Sequence, residues 1–154
     1  MSNPIHIVLV EPEIPPNTGN IARLCACTGC ALHLVHPLGF SLDDRYLKRA
    51  GLDYWQYLDV FEYDNWDDLR LRLNGERNWF GMSSKASKSF WDVRYKAGDV
   101  LVFGPETRGL SQRILADITP LTVPMRQDAP VRSLNLSTAC GITLFEALRQ
   151  LKEQ

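Results

Sequence analysis

Six short runs rich in aliphatic, β-branched and aromatic residues, five of them followed by a stretch with helical punctuation, constrain this chain more than any other feature. The first, Ile5–Val10, is almost wholly apolar and is bounded by Pro4 and by Glu11 and Pro12. A run of that kind has no polar face to turn to water, so it belongs in a sheet covered on both sides. Residues 31–36, 57–63, 78–82, 100–103 and 121–125 supply the further strands. Between them the sequence punctuates helices. Pro12, Pro15 and Pro16 are expected to stiffen the first loop and keep it out of a helix. Asn17 then caps a helix in which Ile21, Leu24, Cys25 and Thr28 recur before Gly29, with Asn20 and Arg23 sharing a separate face. Ser41 and Asp44 resemble a capping box opening a helix through Ala50, closed by Gly51. Asn65 caps a helix carrying Trp66, Leu69 and Leu73, and Ser111 caps a short one through Asp117. The last helix is expected over residues 133–151, with Leu134, Ile142, Phe145, Leu148 and Leu151 as its apolar stripe. This alternation predicts an α/β fold, a mainly parallel six-stranded sheet with helices on both faces, in a single domain over residues 1–154.

Composition narrows the function classes. Hydrophobic residues make up 45% of the 154 and charged residues 23%, which suits one ordinary core. A net charge of -1 excludes a uniformly basic nucleic-acid coat but leaves room for a local basic patch. The chain enters its first strand without the basic and long apolar regions of a signal peptide, and no apolar stretch has bilayer length, so a cytoplasmic protein is expected. Cys25, Cys27, Cys30 and Cys140 are too few and too clustered for a disulfide framework. With His6, His33 and His36 they offer no chelating spacing, so reduced thiols and no metal are expected.

Open parallel sheets bind ligands at the carboxyl ends of their strands, which selects the loops at 11–20, 83–88, 104–109 and 126–133. A dinucleotide site would need G-x-G-x-x-G after the first strand and an acidic residue ending the second. Here the first loop is proline-rich and the second strand ends in His36 and Pro37. The loop Phe103, Gly104, Pro105, Glu106, Thr107, Arg108, Gly109 is more specific. Gly104 allows close backbone approach, Pro105 fixes a dihedral, Glu106 places a carboxylate and Gly109 lets the chain turn again, so backbone groups could grip a flat heterocycle. A plain strand-to-helix turn would account for the glycines and the proline but not for Glu106 beside Arg108. Ser133 and Asn135 stand where the last helix begins and its free N–H groups favour an anion. Ser133 alone reads as an N-cap, which leaves Arg132 and Asn135 unexplained.

Asn17, Thr18, Gly19, Asn20, Ile21, Ala22, Arg23, then the 103–109 loop, then Ser133, Leu134, Asn135, Leu136, Ser137 together resemble the three ordered motifs of the SpoU branch of the SPOUT RNA methyltransferases, over nearly the whole chain. Within that branch, the lead-in at 11–16 and the lack of an appended domain are similar to the minimal enzymes that methylate the wobble ribose of leucine tRNAs. The resemblance implies a C-terminal deep trefoil knot, an exception to the usual unknotted topology. It further implies a homodimer whose interface lies beside the cofactor, S-adenosylmethionine (leaving as S-adenosylhomocysteine), with no metal. Gly104 and the backbone around Val123, Met125 and Leu134 would cradle that cofactor, with Met82 and Ser133 on the same pocket. The implied catalytic set is Arg23 with Asn17, Glu106, Ser133 and Asn135. A guanidinium does not release its proton in the neutral range, so Arg23 is expected to act as an electrostatic clamp on the ribose hydroxyl and a neighbouring phosphate. A tRNA anticodon stem-loop would lie on Arg45, Lys48, Arg49, Lys85, Lys88, Arg126 and Arg132, because phosphate contacts dominate affinity. On the 45–50 helix alone, such charges read more simply as a solvated face. A relative that had lost catalysis would be an RNA-binding or assembly factor, and the intact Arg23, Glu106 and Asn135 speak against that.

Overall fold

The apolar runs pair side by side. In the structure, a computed structural model that describes residues 3–43, 45–50 and 52–153, the strands are β1 (Ile5–Val10), β2 (Ala31–Val35), β3 (Val60–Tyr63), β4 (Trp79–Met82), β5 (Asp99–Phe103) and β6 (Thr119–Leu121). They form one sheet in the order β3-β2-β1-β5-β4-β6, parallel at every pairing. The helices are α1 (Pro15–Thr28), α2 (Arg45–Ala50), α3 (Trp66–Arg72), α4 (Gln112–Asp117) and α5 (Leu136–Lys152). Because side chains alternate along a strand, the sheet divides its apolar residues between two cores. Ile5, Ile7, Leu9, Leu32, Leu34, Leu101 and Phe103 pack with Ile21 and Cys25 of α1 and Cys140 and Leu144 of α5. Val8, Val10, Val35, Val100 and Val102 pack on the opposite face with Trp66 and Leu69 of α3 and Ile114 of α4.

The strand order also locates the site. β1 leads through α1 to β2 on one side, whereas β5 leads through α4 to β6 on the other. β1 and β5 are neighbours, with Leu9 opposite Phe103. Their outgoing loops therefore stand side by side at the carboxyl edge of the sheet, where open α/β sheets bind ligands.

The structure departs from the sequence reading in particular places. Pro15 and Pro16 are the first residues of α1, where a missing N–H costs no intrahelical bond, so the prolines begin the helix that they were expected to delay. Asn17 accordingly lies inside α1 and is not its cap. Residues 52–57 form a 3₁₀ helix, which shortens the third strand to Val60–Tyr63. The sixth strand is Thr119–Leu121 in place of 121–125. Pro120 is accommodated because β6 is an edge strand with only β4 beside it. α5 begins at Leu136, and its buried face is Cys140, Thr143, Leu144 and Ala147. Ile142 and Phe145 are 40% and 55% exposed, so the expected stripe was turned outward at those two positions; small residues let the other face lie close to the sheet. Ser41 accepts from Asp43 N at 3.1 Å ahead of α2, which begins only at Arg45, whereas Asn65 accepts from Asp68 N at 2.8 Å, Ser111 from Ile114 N at 3.3 Å, and Gly29 ends α1 with φ 73° as expected. Asp44 and Gly51, of the expected capping box and its helix stop, lie outside the described residues.

One buried polar chain crosses the α3/α4 face. His6 Nδ1 lies 2.9 Å from His33 Nε2, and His33 Nδ1 2.8 Å from the Tyr63 hydroxyl. Burial, with Arg77 nearby, pushes His6 down to about 4; burial, then His6 and Arg77, pushes His33 down to about 3. Both rings are thus neutral in the fold, while in the unfolded chain they take up protons near 6.5. Between those values the unfolded state binds more protons, so stability rises with pH through this window and is lost as pH falls from about 6.5 towards 4. Thermal melts across that range should show the loss, and a His6→Asn, His33→Gln double variant should flatten it.

Candidate active site

α1 opens without a cap of its own: Ile14, at the N-cap position, makes no side-chain bond to the helix. The positive end of the helix is instead met by a carboxylate from the loop after β5. Glu106 accepts from Glu13 N at 2.8 Å, from Ile14 N at 2.9 Å and from Asn17 Nδ2 at 3.2 Å. A negative charge at a helix N-terminus is favourable, and here it also satisfies main-chain donors. The loop after β1 answers in kind, since Glu13 accepts from Thr107 N at 2.8 Å and from Thr107 Oγ1 at 2.8 and 3.0 Å. These bonds from Thr107, the backbone N–H first, hold the Glu13 carboxyl below its ordinary range. Arg108 lies across the same loop at 3.4 Å from Glu11 and 3.9 Å from Glu13.

A second chain of bonds joins the beginnings of α1 and α5. Asn135, not Ser133, is the N-cap of α5: its Oδ1 accepts from Ser137 N at 2.9 Å, Thr138 N at 3.3 Å and Ser137 Oγ at 2.6 Å. With its oxygen committed to the helix, Asn135 presents its Nδ2, which donates to Asn17 Oδ1 at 3.1 Å. Asn17 must then turn its own Nδ2 to Glu106. One helix cap therefore sets the orientation of two amides and a carboxylate, and Asn17, only 5% exposed, has both ends of its amide bonded.

These residues line a cleft of about 540 Å³ at the carboxyl ends of β1, β4 and β5, a volume in the range of small-molecule sites. Asn17, Glu106, Ser133 and Asn135 of the expected catalytic set lie on its wall, as do all of the expected cradle residues: Met82, Gly104, Val123, Met125, Ser133 and Leu134. Gly104 is needed where it stands, because a Cβ there would come within 2.5 Å of Gly109 C and Leu110 N. Val123 and Met125 reach the cleft because the chain leaves the sheet after Leu121, earlier than expected. Arg23 is the exception. It lies on the exposed side of α1 with Asn20 and is not among the residues lining the cleft of its own chain. Of the basic candidates, Lys85 and Arg132 line the cleft, Arg126 stands on the adjoining loop 3.3 Å from Asp128, and Lys88 is exposed beyond Lys85. Arg45 and Arg49 are exposed on α2, away from the cleft wall, and the side chain of Lys48 lies outside those described. Glu13 and Thr107 were missed as a pair. The available signal was a carboxylate in each of two loops leaving neighbouring strands.

The family model described as the SpoU rRNA Methylase family matches residues 4–145, and the chain belongs to that family. It is 52% identical over 149 residues to a tRNA (cytidine(34)-2'-O)-methyltransferase of Saccharophagus degradans, covering 95% of each chain. It is 47% identical over 153 residues to the protein of the same name from Escherichia coli, covering 96% of this chain and 94% of that one. A solved structure described as "Structural insights into the 2-OH methylation of C/U34 on tRNA" superposes with a TM-score of 0.92 at 45% identity, over 97% of each chain. The resemblance drawn from the three motifs is thereby borne out at the level of the family and the fold.

The two roles of Asn135 separate by substitution. Asn135→Ala removes the cap and should cost about 1 kcal/mol in denaturant unfolding. Asn135→Asp keeps a capping oxygen but can no longer donate to Asn17. Its stability should stay nearer to wild type, while the Asn17 side-chain amide resonance moves in a ¹⁵N NMR spectrum.

Proposed function

We propose that this chain transfers a methyl group from S-adenosylmethionine to the ribose 2′-oxygen of the wobble nucleotide, cytidine or uridine, in the anticodon loop of tRNA, leucine tRNAs among its targets. The observation that carries the reading is the Glu106–Asn17–Asn135 chain, which joins residues of all three motifs on one wall of a cleft whose floor tolerates only glycine at 104. The names and identities of the relatives support the target.

The cleft fits the proposed cosubstrate. It combines main-chain groups of the 104–109 loop with the apolar side chains of Met82, Val123, Met125 and Leu134, which suits an adenine ring. S-adenosylmethionine supplies an electrophilic methyl on a sulfonium, and in-line attack by an oxygen then depends chiefly on alignment. The tied loops at 11–17, 104–109 and 132–135 are suited to that alignment, because the first two grip each other's main chain through Glu106 and Glu13 and the third is joined to the first by the Asn135–Asn17 bond. Glu106 is occupied by two backbone N–H groups and Asn17, so its proposed part is positioning. Lys85 and Arg132, on the cleft wall, would hold phosphates beside the target ribose. Arg23 would stabilise the 2′-oxygen as its proton passes to solvent water, the new O–CH3 bond forming as the S–CH3 bond breaks and S-adenosylhomocysteine leaves.

Arg23 lies outside its own cleft, which supports a homodimer in which the Arg23 of a second copy completes the site. Exposed Ile14, which lines the cleft, and exposed Ile142 and Phe145 on α5 support an apolar contact between the copies. A C-terminal trefoil knot is part of the proposal. In its support, Thr122 donates to Lys88 O at 2.8 Å and accepts from Phe90 N at 3.0 Å, so the 83–90 segment lies along the chain that leads on to α5. Further on, Gln150 of α5 bonds Val93 O at 3.0 Å and Tyr95 N at 2.9 Å.

The direct test is incubation of the protein with S-adenosylmethionine and tRNA lacking ribose methylation, followed by nuclease digestion and mass spectrometry. 2′-O-methylcytidine or 2′-O-methyluridine at the wobble position is expected; methyl on a base would overturn the mechanism. A mixing experiment tests the shared site. Arg23→Ala and Asn135→Asp chains should each be inactive alone and regain activity when refolded together, and no recovery would place Arg23 in its own chain's reaction or outside it.

A further inference from the structure

The 104–109 loop is held by a pair of residues that none of the three motif roles accounts for. Glu106 reaches across to the main chain at 13 and 14, while Glu13 reaches back to the main chain and hydroxyl of Thr107. Each carboxylate thus grips the backbone of the loop that carries the other, and neither loop can shift without breaking bonds to a charged acceptor, the stronger kind. The Glu13 side of the clasp is wedged from behind. Gly39 N donates to Pro12 O at 2.9 Å, and a Cβ on Gly39 would lie 2.9 Å from Glu13 Cα. The far side of the 104–109 loop is closed by Gly104 against Gly109 and Leu110. Thr107 lines the cleft and Glu13 stands behind it, outside the lining.

We propose that Glu13 and Thr107 are positioning residues: their clasp sets the height of the 104–109 loop over the cleft, and through it the affinity for the adenosyl cosubstrate rather than the rate of methyl transfer. The inference rests on the cosubstrate reading above and adds two residues to it. The charged groups facing Glu13 are Arg108 at 3.9 Å, Glu11 through the same arginine, and Glu106 through the Glu13 N–H; Gly39 presents no charge. Thr107 donates only to the charged carboxylate in full strength, so the clasp weakens when Glu13 takes a proton, and removing the Thr107 hydroxyl moves that protonation to higher pH.

The test is calorimetric titration of S-adenosylhomocysteine into wild type, Glu13→Gln, Thr107→Val and Thr107→Ser, with steady-state kinetics on tRNA. Loss of a charge-assisted bond should weaken binding by Glu13→Gln about tenfold. KM for S-adenosylmethionine should rise in step while kcat holds. Thr107→Val should weaken binding in the same direction and shift the acid limb of the affinity profile to higher pH, and Thr107→Ser, which keeps the hydroxyl, should restore both. Should Glu13→Gln fail to fold, Thr107→Val, a shape-conserving change, decides. Wild-type affinity in both variants, or a fall in kcat with affinity unchanged, would overturn the clasp alone. Wild-type protein that bound no S-adenosylhomocysteine would overturn the cosubstrate reading and the clasp with it.

Discussion

The carboxylate of Glu106 at the head of α1 is the contact on which the rest of the site depends. Two prolines open that helix without N–H groups of their own, and Ile14 offers no capping oxygen, so the helix end is completed only by a residue 92 positions away in sequence. The bond is possible because β1 and β5 are neighbours, which sets their outgoing loops side by side. Sheet topology brings the two loops together, and the helix end supplies the charge that draws Glu106 to it.

From that contact the polar order of the cleft follows by elimination. Of the two amides Asn17 is the buried one and has to be paired at both ends, because a buried donor or acceptor left without a partner costs about 1–3 kcal/mol. Asn135 commits its oxygen to α5, Asn17 receives the amide that remains, and Glu106 receives the next. The same atoms that cap a helix therefore orient a candidate catalytic wall. Stability and function are not separable at Asn135 by deletion, only by a change that preserves the oxygen.

The two faces of the sheet play unequal parts. The face under α1 and α5 carries the large residues Ile5, Ile7, Leu9, Leu101 and Phe103, and both of its helices begin at the cleft. Cys140, Thr143 and Ala147 bring α5 close to that face, which leaves Ile142 and Phe145 turned outward. The opposite face, built on valines with α3 and α4, holds the neutral His6–His33–Tyr63 chain and stands away from the cleft.

The order of strands and helices, the caps at Asn65 and Ser111, the stop at Gly29 and the loops that carry Gly104, Glu106 and Asn135 were legible in the chain, because alternation of apolar residues, glycine punctuation and capping are local properties. Three ordered motifs also sufficed to indicate the family. Locally plausible readings failed where a distant partner decided. Asn17 reads as a cap but lies in the helix, since its partners are Glu106 and Asn135; Ser133 yields the cap of α5 to Asn135; Ile142 and Phe145 read as core, since periodicity marks a stripe without saying which face meets the sheet. What the sequence by itself determined was the set of elements and the chemistry carried on their ends. Only the tertiary structure decided which ends meet, that Glu13 and Thr107 close on one another, and that Arg23 stands outside its own cleft. Those outcomes depend on strand order and helix rotation, and both are settled by burying two apolar faces at once.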